Sequence, residues 1–466
     1  MIIEPPKKCI PRELGSGAPD DSCGVFVRAS GNSGAIGTKG DPAPTLRAAV
    51  EIWKSKSPPT EGSTPSIYLC AEPITEIAEE DGKTDALPGG VPIFGSLDCA
   101  AGWVYTPAKR TMLTAPAGQV PLRLSGKNIK ITDVDVMAAT VPDTTPGVSS
   151  IAIIAENADV EFDGSTIVAG DGAPGMPGEP HATDVKKGTD GAPGVEACNI
   201  NAGDPTPEVE GMCGAELSKG GRGGPGAPAV AAGDGTAGTP GSLMNGGQGQ
   251  ESVALMCTDG VAGDVGMTGA SGSDAMGMGK ISAAAGYVGP GGQEGKPGTI
   301  GQGGGGGGGT MSNPTGMQQP CGSPFPGASG GAGGTGGCGG VGGRGGGAAG
   351  SSIGIVSINS TFKFTASIVR VGNGGPGGEG GPGQTGGPGG MGGMGGASVN
   401  GVAAGCNGGA GGKGGDGGKG GNGLGGHVIG IAYTGLAPVL ENPPTFELTG
   451  EPGEGAVKKD VQDFPP

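Results

Sequence analysis

Aromatic side chains are scarce: 8 Phe, 4 Tyr and 2 Trp are 3% of 466 residues. That places the chain far outside ordinary globular domains. Histidine is scarcer still, with only His181 and His427, and no Cys-x-x-Cys pair occurs, so zinc sites are not expected. Basic charge is short too. With 27 Lys+Arg against 44 Asp+Glu and a net charge of −17, the chain lacks the basic patches that nucleic acids and anionic membranes require. No run approaches the roughly 18–20 apolar residues of a membrane span. The opening MIIEPPKKCIPREL has no apolar core of a signal peptide, so the expectation is a mature chain or a truncated one with an added methionine.

What fills the chain is glycine, 114 residues, beside 41 prolines. Gly-Gly-X triplets run from Gly330 to Gly347, Gly374 to Ala397 and Gly408 to Asn422, and Gly286, Gly289, Gly292, Gly295, Gly298, Gly301, Gly304 and Gly307 keep one phase. A period of three is neither helix nor strand. It is the period of polyproline II, which rises about 3.1 Å per residue without internal hydrogen bonds and so turns its N–H and C=O groups sideways. Composition alone would suggest disorder. The fidelity of the phase, and its alternation with β-branched segments, predict order instead.

Gly172-Ala-Pro-Gly175-Met-Pro-Gly178 fits a collagen pattern briefly. The later tracts, with two glycines of three, fit a polyglycine II bundle in which glycine faces touch neighbours and X points outward. Gly330, Gly333, Gly336, Gly377, Gly386, Gly387, Gly411 and Gly414 are the candidate packing residues. Gly303–Gly309, without any side chain, is expected at the centre, with turns at Met311–Pro326 and Ser398–Asn407.

Short apolar runs read as strands at Ser66–Cys70, Val91–Gly95, Thr111–Thr114, Val120–Leu124, Ile129–Ile131, Val134–Val136 and Ser150–Ile154, with a corner at Thr132-Asp133. Proline and helical spacing predict one capping helix over 44–55, with Trp53 in the core. An ungapped internal repeat aligns Ser149–Gly175 with Ser351–Gly377, and GHVIGIAYTG from Gly426 is a fainter copy. The fold predicted is mostly β: a right-handed parallel β-helix with an N-terminal capping helix, plus a polyglycine II bundle. Its parts are a Pro-rich arm 1–22, β-helix 23–170, glycine excursion 171–350, returning coil 351–372, second excursion 373–425, last β segment 426–436 and a Pro-rich acidic arm 437–466. The arms are candidates to cover the solenoid ends of a neighbouring subunit.

Ten cysteines, Cys9, Cys23, Cys70, Cys99, Cys198, Cys213, Cys257, Cys321, Cys338 and Cys406, read as disulfides of an oxidising compartment. Neighbouring pairs Cys9–Cys23, Cys70–Cys99 and Cys198–Cys213 are expected, and a Cys338–Cys406 bond would staple two glycine tracts. Asp133, Asp135, Asp159 and Asp163 could line a polysaccharide groove, but no basic cluster is legible near them; solvated positions are the simpler reading. Lys413, Asp416 and Lys419 form a charge row read as a solubilising face. Asn359-Ser-Thr361 is a weak glycosylation sequon, and no phosphate-binding loop is present.

PDDSCGVFVRASG, PTLRAAV, VPIFGSLDCAAGW and SSIAIIA followed by GGxGGxGG resemble secreted glycine-rich proteins of predatory soil bacteria, of unassigned function. The resemblance implies a disulfide-bonded β-helix carrying polyglycine tracts. The tracts alone resemble the tip adhesins of phage long tail fibres and springtail antifreeze proteins. The expectation is a non-enzymatic structural or adhesive protein, secreted or at the cell surface, self-assembling through its arms or binding surface polysaccharide, with no cofactor, metal, nucleic acid or membrane span. A pectate-lyase-like enzyme and an ice-binding protein are the alternatives.

Overall fold

A computed structural model describes residues 5–57, 64–76, 86–241, 244–313, 320–322 and 324–465. Three parallel sheets stack in register, consistent with a β-solenoid. The first contains Gly24–Val27, Ser66–Cys70, Pro92–Asp98, Ile129–Thr132, Asp159–Asp163, Thr361–Thr365 and Leu440–Glu441. The second contains Pro73–Thr75, Thr111–Ala115, Val134–Ala138, Thr166–Ala169, Ile368–Val371 and Thr445–Leu448, and the third Ala86–Leu87, Leu122–Ser125, Ser150–Glu156, Ser352–Ile358, Val428–Thr434 and Lys458–Asp463. Gly24–Val27 is followed by the helix, and from Ser66 onward each coil contributes one strand to each sheet in that order.

The corners need a left-handed residue. Asn128, Asn157 and Asn359 supply it between third and first sheets, with φ of 61°, 50° and 50°, and Asp133 (57°) does so between first and second, at the corner read from the sequence. Asparagine and aspartate tolerate that conformation best among residues carrying a side chain.

The internal repeat is the stacking register itself. Ile151 pairs with Ile353, Ile153 with Ile355 and Phe162 with Phe364, and Ser352 in turn pairs with Val428. Hydrogen bonds at the same spacing of 202 join Ala158 N–H to Ser360 Oγ and Ser165 N–H to Ser367 Oγ. Inward Ile, Val and Phe side chains form the core, with the Phe162 and Phe364 rings stacked 5.5 Å apart. The one α-helix, Leu46–Ser55, is capped by Thr45 and lays Leu46, Ala49 and Val50 into the first coils. Trp53 packs partly buried against the same core and donates its Nε1–H to Pro65 O.

Both glycine excursions leave from the second sheet and return to the third, one between Ala169 and Ser352 and the next between Val371 and Val428. Their exits stack as well: Asn373 N–H donates to Asp171 Oδ1 and Glu451 N–H to Asn373 Oδ1.

Three expectations are corrected. The stretch 437–466 is no arm, because its strands Leu440–Glu441, Thr445–Leu448 and Lys458–Asp463 complete the last coil. Described residues of 1–22 are held on their own solenoid by Cys9–Cys23, by Tyr68 Oη donating to Cys9 O, and by Arg12. Gly286 also leaves the triplet series, since it lies in the antiparallel hairpin of Lys280–Ser282 and Gly286–Val288.

Candidate functional site

A segment with no internal hydrogen bonds must find all its partners outside itself. The glycine segments do so at intervals of three residues. Gly292, Gly295, Gly298, Gly301, Gly304 and Gly307 donate to Gly346, Gly343, Gly340, Gly337, Gly334 and Gly331, an antiparallel pairing. Gly331, Gly334, Gly337, Gly340, Gly343 and Gly346 donate onward to Cys406, Gly409, Gly412, Gly415, Gly418 and Gly421, a parallel one. The turn expected at Ser398–Asn407 joins antiparallel segments 374–397 and 405–426; the one at Met311–Pro326 includes 314–319 and 323, which lie outside the described residues.

Gly303–Gly309 is buried and surrounded. Its N–H groups donate to Thr239, Gly334, Val261, Thr236, Gly331, Thr258 and Gly233 in chain order. Its carbonyls accept from Asn245 Nδ2 and from the N–H groups of Gly221, Gly409, Gly247, Gly224, Cys406 and Gln250. Every donor and acceptor is thus satisfied by a different part of the chain, where one left unmade would cost about 1–3 kcal/mol. A Cβ on Gly306 would collide with Arg222 O, and one on Gly308 with Gln248 O.

Glycine content follows position. The outer segments 172–197 and 257–275 carry about one glycine per triplet, 327–350, 374–397 and 405–426 carry two, and the centre carries three. A Cβ on each expected packing residue would meet neighbouring backbone: Gly330 at Gly307 O, Gly333 at Gly304 O, Gly336 at Gly301 O, Gly377 at Gly423 O, Gly386 at Gly414 O, Gly387 at Lys186 O, Gly411 at Thr335 O and Gly414 at Cys338 O. The stretch Gly172–Gly178 joins the same network, donating at Gly172, Gly175 and Gly178 to Asn373, Pro376 and Glu379.

The X residues build an outer face of three rows: Asp259, Ala262, Val265, Thr268, Ser271 and Asp274; Asn407, Ala410, Lys413, Asp416, Lys419 and Asn422; and Pro376, Glu379, Pro382, Thr385, Pro388, Met391 and Met394. Along a row the spacing is about 9 Å, three residues of 3.1 Å rise. The rows are cross-tied, since Asn407 N–H donates to Asp259 Oδ1 while Asn407 Oδ1 accepts from Gly395 N–H. Asp416, beside Lys413 and the Gly386 N–H, is held below the usual carboxylate range.

All ten cysteines are bonded. Of the expected neighbouring pairs Cys9–Cys23 and Cys70–Cys99 form, but the remaining pairs are Cys198–Cys321, Cys213–Cys338 and Cys257–Cys406. Cys198–Cys213 does not form because Cys198 ends segment 172–197 beside Pro326, while Thr206, bonded to Gly223 and Gly330, leads the chain on to the hairpin that carries Cys213. Cys338 and Cys406 are not partners either. Gly331 N–H bonds Cys406 O and Gly337 N–H bonds Gly412 O, so Cys338 lies about 20 Å along the bundle from Cys406.

Three of the four carboxylates considered above converge, together with bases that the sequence did not reveal. Arg12 places Nε 2.7 Å from Asp133 Oδ2 and Nη1 2.7 Å from Asp163 Oδ2. Arg110 Nη2 lies 2.6 Å from Asp135 Oδ1, and Tyr105 Oη donates to Asp133. The Asp133 and Asp135 hydrogen bonds raise the pKa of Arg12 and Arg110 respectively; burial, then Asp133, raises that of Tyr105. Every carboxylate of the cluster is engaged by a guanidinium, and its effect is to clamp the N-terminal segment to the solenoid. Asp159 stays apart, bonded to Thr361 Oγ1. Buried Glu76 accepts the Leu46 N–H at the start of the helix.

Among the described residues no group of three or more His, Cys, Asp or Glu could hold a metal ion, and no helix is long and apolar enough to cross a membrane. No family model matches the chain, and no curated protein matches it. Similar solved structures include a rhamnogalacturonan lyase, 14% identical over 32% of this chain and 38% of that one, with a TM-score of 0.22. An alginate lyase from Paenibacillus sp. str. FPU-7 is 13% identical over 31% of this chain and 39% of that one, with a TM-score of 0.15. The match thus spans less than two fifths of either chain.

Proposed function

We propose that this is a non-enzymatic extracellular protein, a right-handed β-helix carrying a polyglycine II bundle that serves as a stiff structural or adhesive module. The observation that carries the reading is the period-three lattice of backbone hydrogen bonds, which makes a dense body from segments whose buried apolar clusters are small. Five disulfides support an oxidising setting and a secreted or surface location. The three-row face is the working surface. It mixes Lys413, Asp416 and Lys419 with Met391 and Met394, which suits polar polymers of a cell surface and does not suit ice, for which a uniform face of small residues is wanted. The carboxylate cluster offers no unengaged base for polysaccharide cleavage.

Purified protein mixed with cell-envelope polysaccharide should cosediment with it and leave its chain length unchanged, and Lys413→Glu with Lys419→Glu should weaken retention. Shortening of the polysaccharide, or retention indifferent to both charge reversals, would overturn the reading.

A further inference from the structure

The two ends of the solenoid are finished differently. At the first coils the helix Leu46–Ser55 covers the core, with Ala48, Ile52 and Trp53 packed over it. At the last coil, Leu440–Glu441, Thr445–Leu448 and Lys458–Asp463 are the terminal strands of their sheets. Leu440, Phe446 and Val461, one from each strand, are half-buried against the core, and among the described residues no further strand or helix lies beyond them. An uncovered strand edge of this kind invites another chain.

The longest terminal strand reads Lys458-Lys-Asp-Val-Gln-Asp463, basic at its start and acidic at its end. Two copies meeting by this same edge are related by a two-fold axis and pair antiparallel. In full overlap Lys458 faces Asp463 and Lys459 faces Gln462, each twice. Opposite charges directly across a pair of strands stabilise it, and like charges destabilise it. Lys458 also reaches Glu451 at 3.0 Å, while Asp463 has no ion pair among the described residues. Head-to-tail growth is closed off, because the other end lies under the helix.

We propose that the last coil is an isologous docking surface for a second copy of this chain, giving a closed tail-to-tail dimer in which Leu440, Phe446 and Val461 of both copies form one apolar layer. The surface goes beyond the function proposed above and takes up the self-assembly expected from the sequence. It lies outside the glycine segments and the three-row face, so either reading can fail without the other.

Sedimentation equilibrium of the full chain tests it. A monomer–dimer equilibrium is expected, weakened about tenfold or more by Asp463→Lys, which sets lysine against lysine, and restored by Lys458→Asp combined with Asp463→Lys. Circular dichroism of each variant reports whether the fold is kept. Monomer at every concentration, unlimited growth, a dimer indifferent to Asp463→Lys, or no rescue by the double reversal would overturn the proposal.

Discussion

His427 is fully buried, and its neutral ring makes the hydrogen bonds open to it. Nδ1 accepts the Val457 N–H, so the proton sits on Nε2, which donates to Met278 O; both distances are 3.0 Å. The rings of Tyr287 and Phe464 close around it edge-on, and burial pushes the Tyr287 hydroxyl up to about 12, keeping it uncharged. Burial, offset in part by the Met278 bond, holds His427 below its ordinary 6.5. The unfolded chain therefore binds a proton that the folded one refuses. Stability from neutral His427 is complete above 6.5 and is lost as pH falls toward the folded value. Denaturant unfolding at about pH 7.5 and about pH 5.5 should show a decrease of up to about 1.4 kcal/mol per pH unit across that window. The decrease should be largely absent in His427→Gln; an equal slope in both proteins would assign the proton elsewhere.

At the scale of elements, glycine is demanded by contact between backbones rather than by turn geometry. Gly386→Val drives a branched side chain into Gly414 O, whereas Met391→Ala trims an exposed one. The valine should cost about 1–3 kcal/mol or more, and the alanine should stay within about 0.5 kcal/mol of the parent in thermal unfolding. Equal stability of the two variants would mean that the double-glycine faces are not contact faces. Elements that announce themselves locally were legible from residues alone: the strand runs, the Asp133 corner, the helix after Pro44 and the all-glycine centre. The repeat went further, because ungapped alignment of Ser149–Gly175 with Ser351–Gly377 is also the register of neighbouring coils. What stayed hidden depends on three-dimensional juxtaposition. No spacing rule links Cys257 to Cys406, separated by 149 residues, or brings Arg12 to Asp133. The terminal segments read as arms because proline and charge are as common at the edge of a solenoid as in a tail. Segment 257–275 was missed because an outer chain keeps only the one glycine per triplet that faces inward.

At the scale of the whole molecule, two stabilising schemes share one chain. The solenoid relies on buried Ile, Val, Leu and Phe, and the glycine body relies on lateral hydrogen bonds with three long-range disulfides across it. Loops of 123 to 149 residues between bonded cysteines constrain the unfolded chain by about 4–5 kcal/mol each in the loop-entropy model, which helps offset the large conformational entropy that glycine loses on ordering. Both excursions leave the second sheet and rejoin the third within one coil of the solenoid, so lattice and solenoid share a register. The central claim is that the glycine segments are ordered by one another, and amide hydrogen exchange resolved along the chain tests it most directly. Slow exchange is expected throughout Gly303–Gly309 and at Gly331, Gly334, Gly337, Gly340, Gly343 and Gly346, comparable with the Ile151–Ile154 strand. Exchange in those glycine segments at the rate of an unfolded chain, while the solenoid strands remain protected, would contradict it.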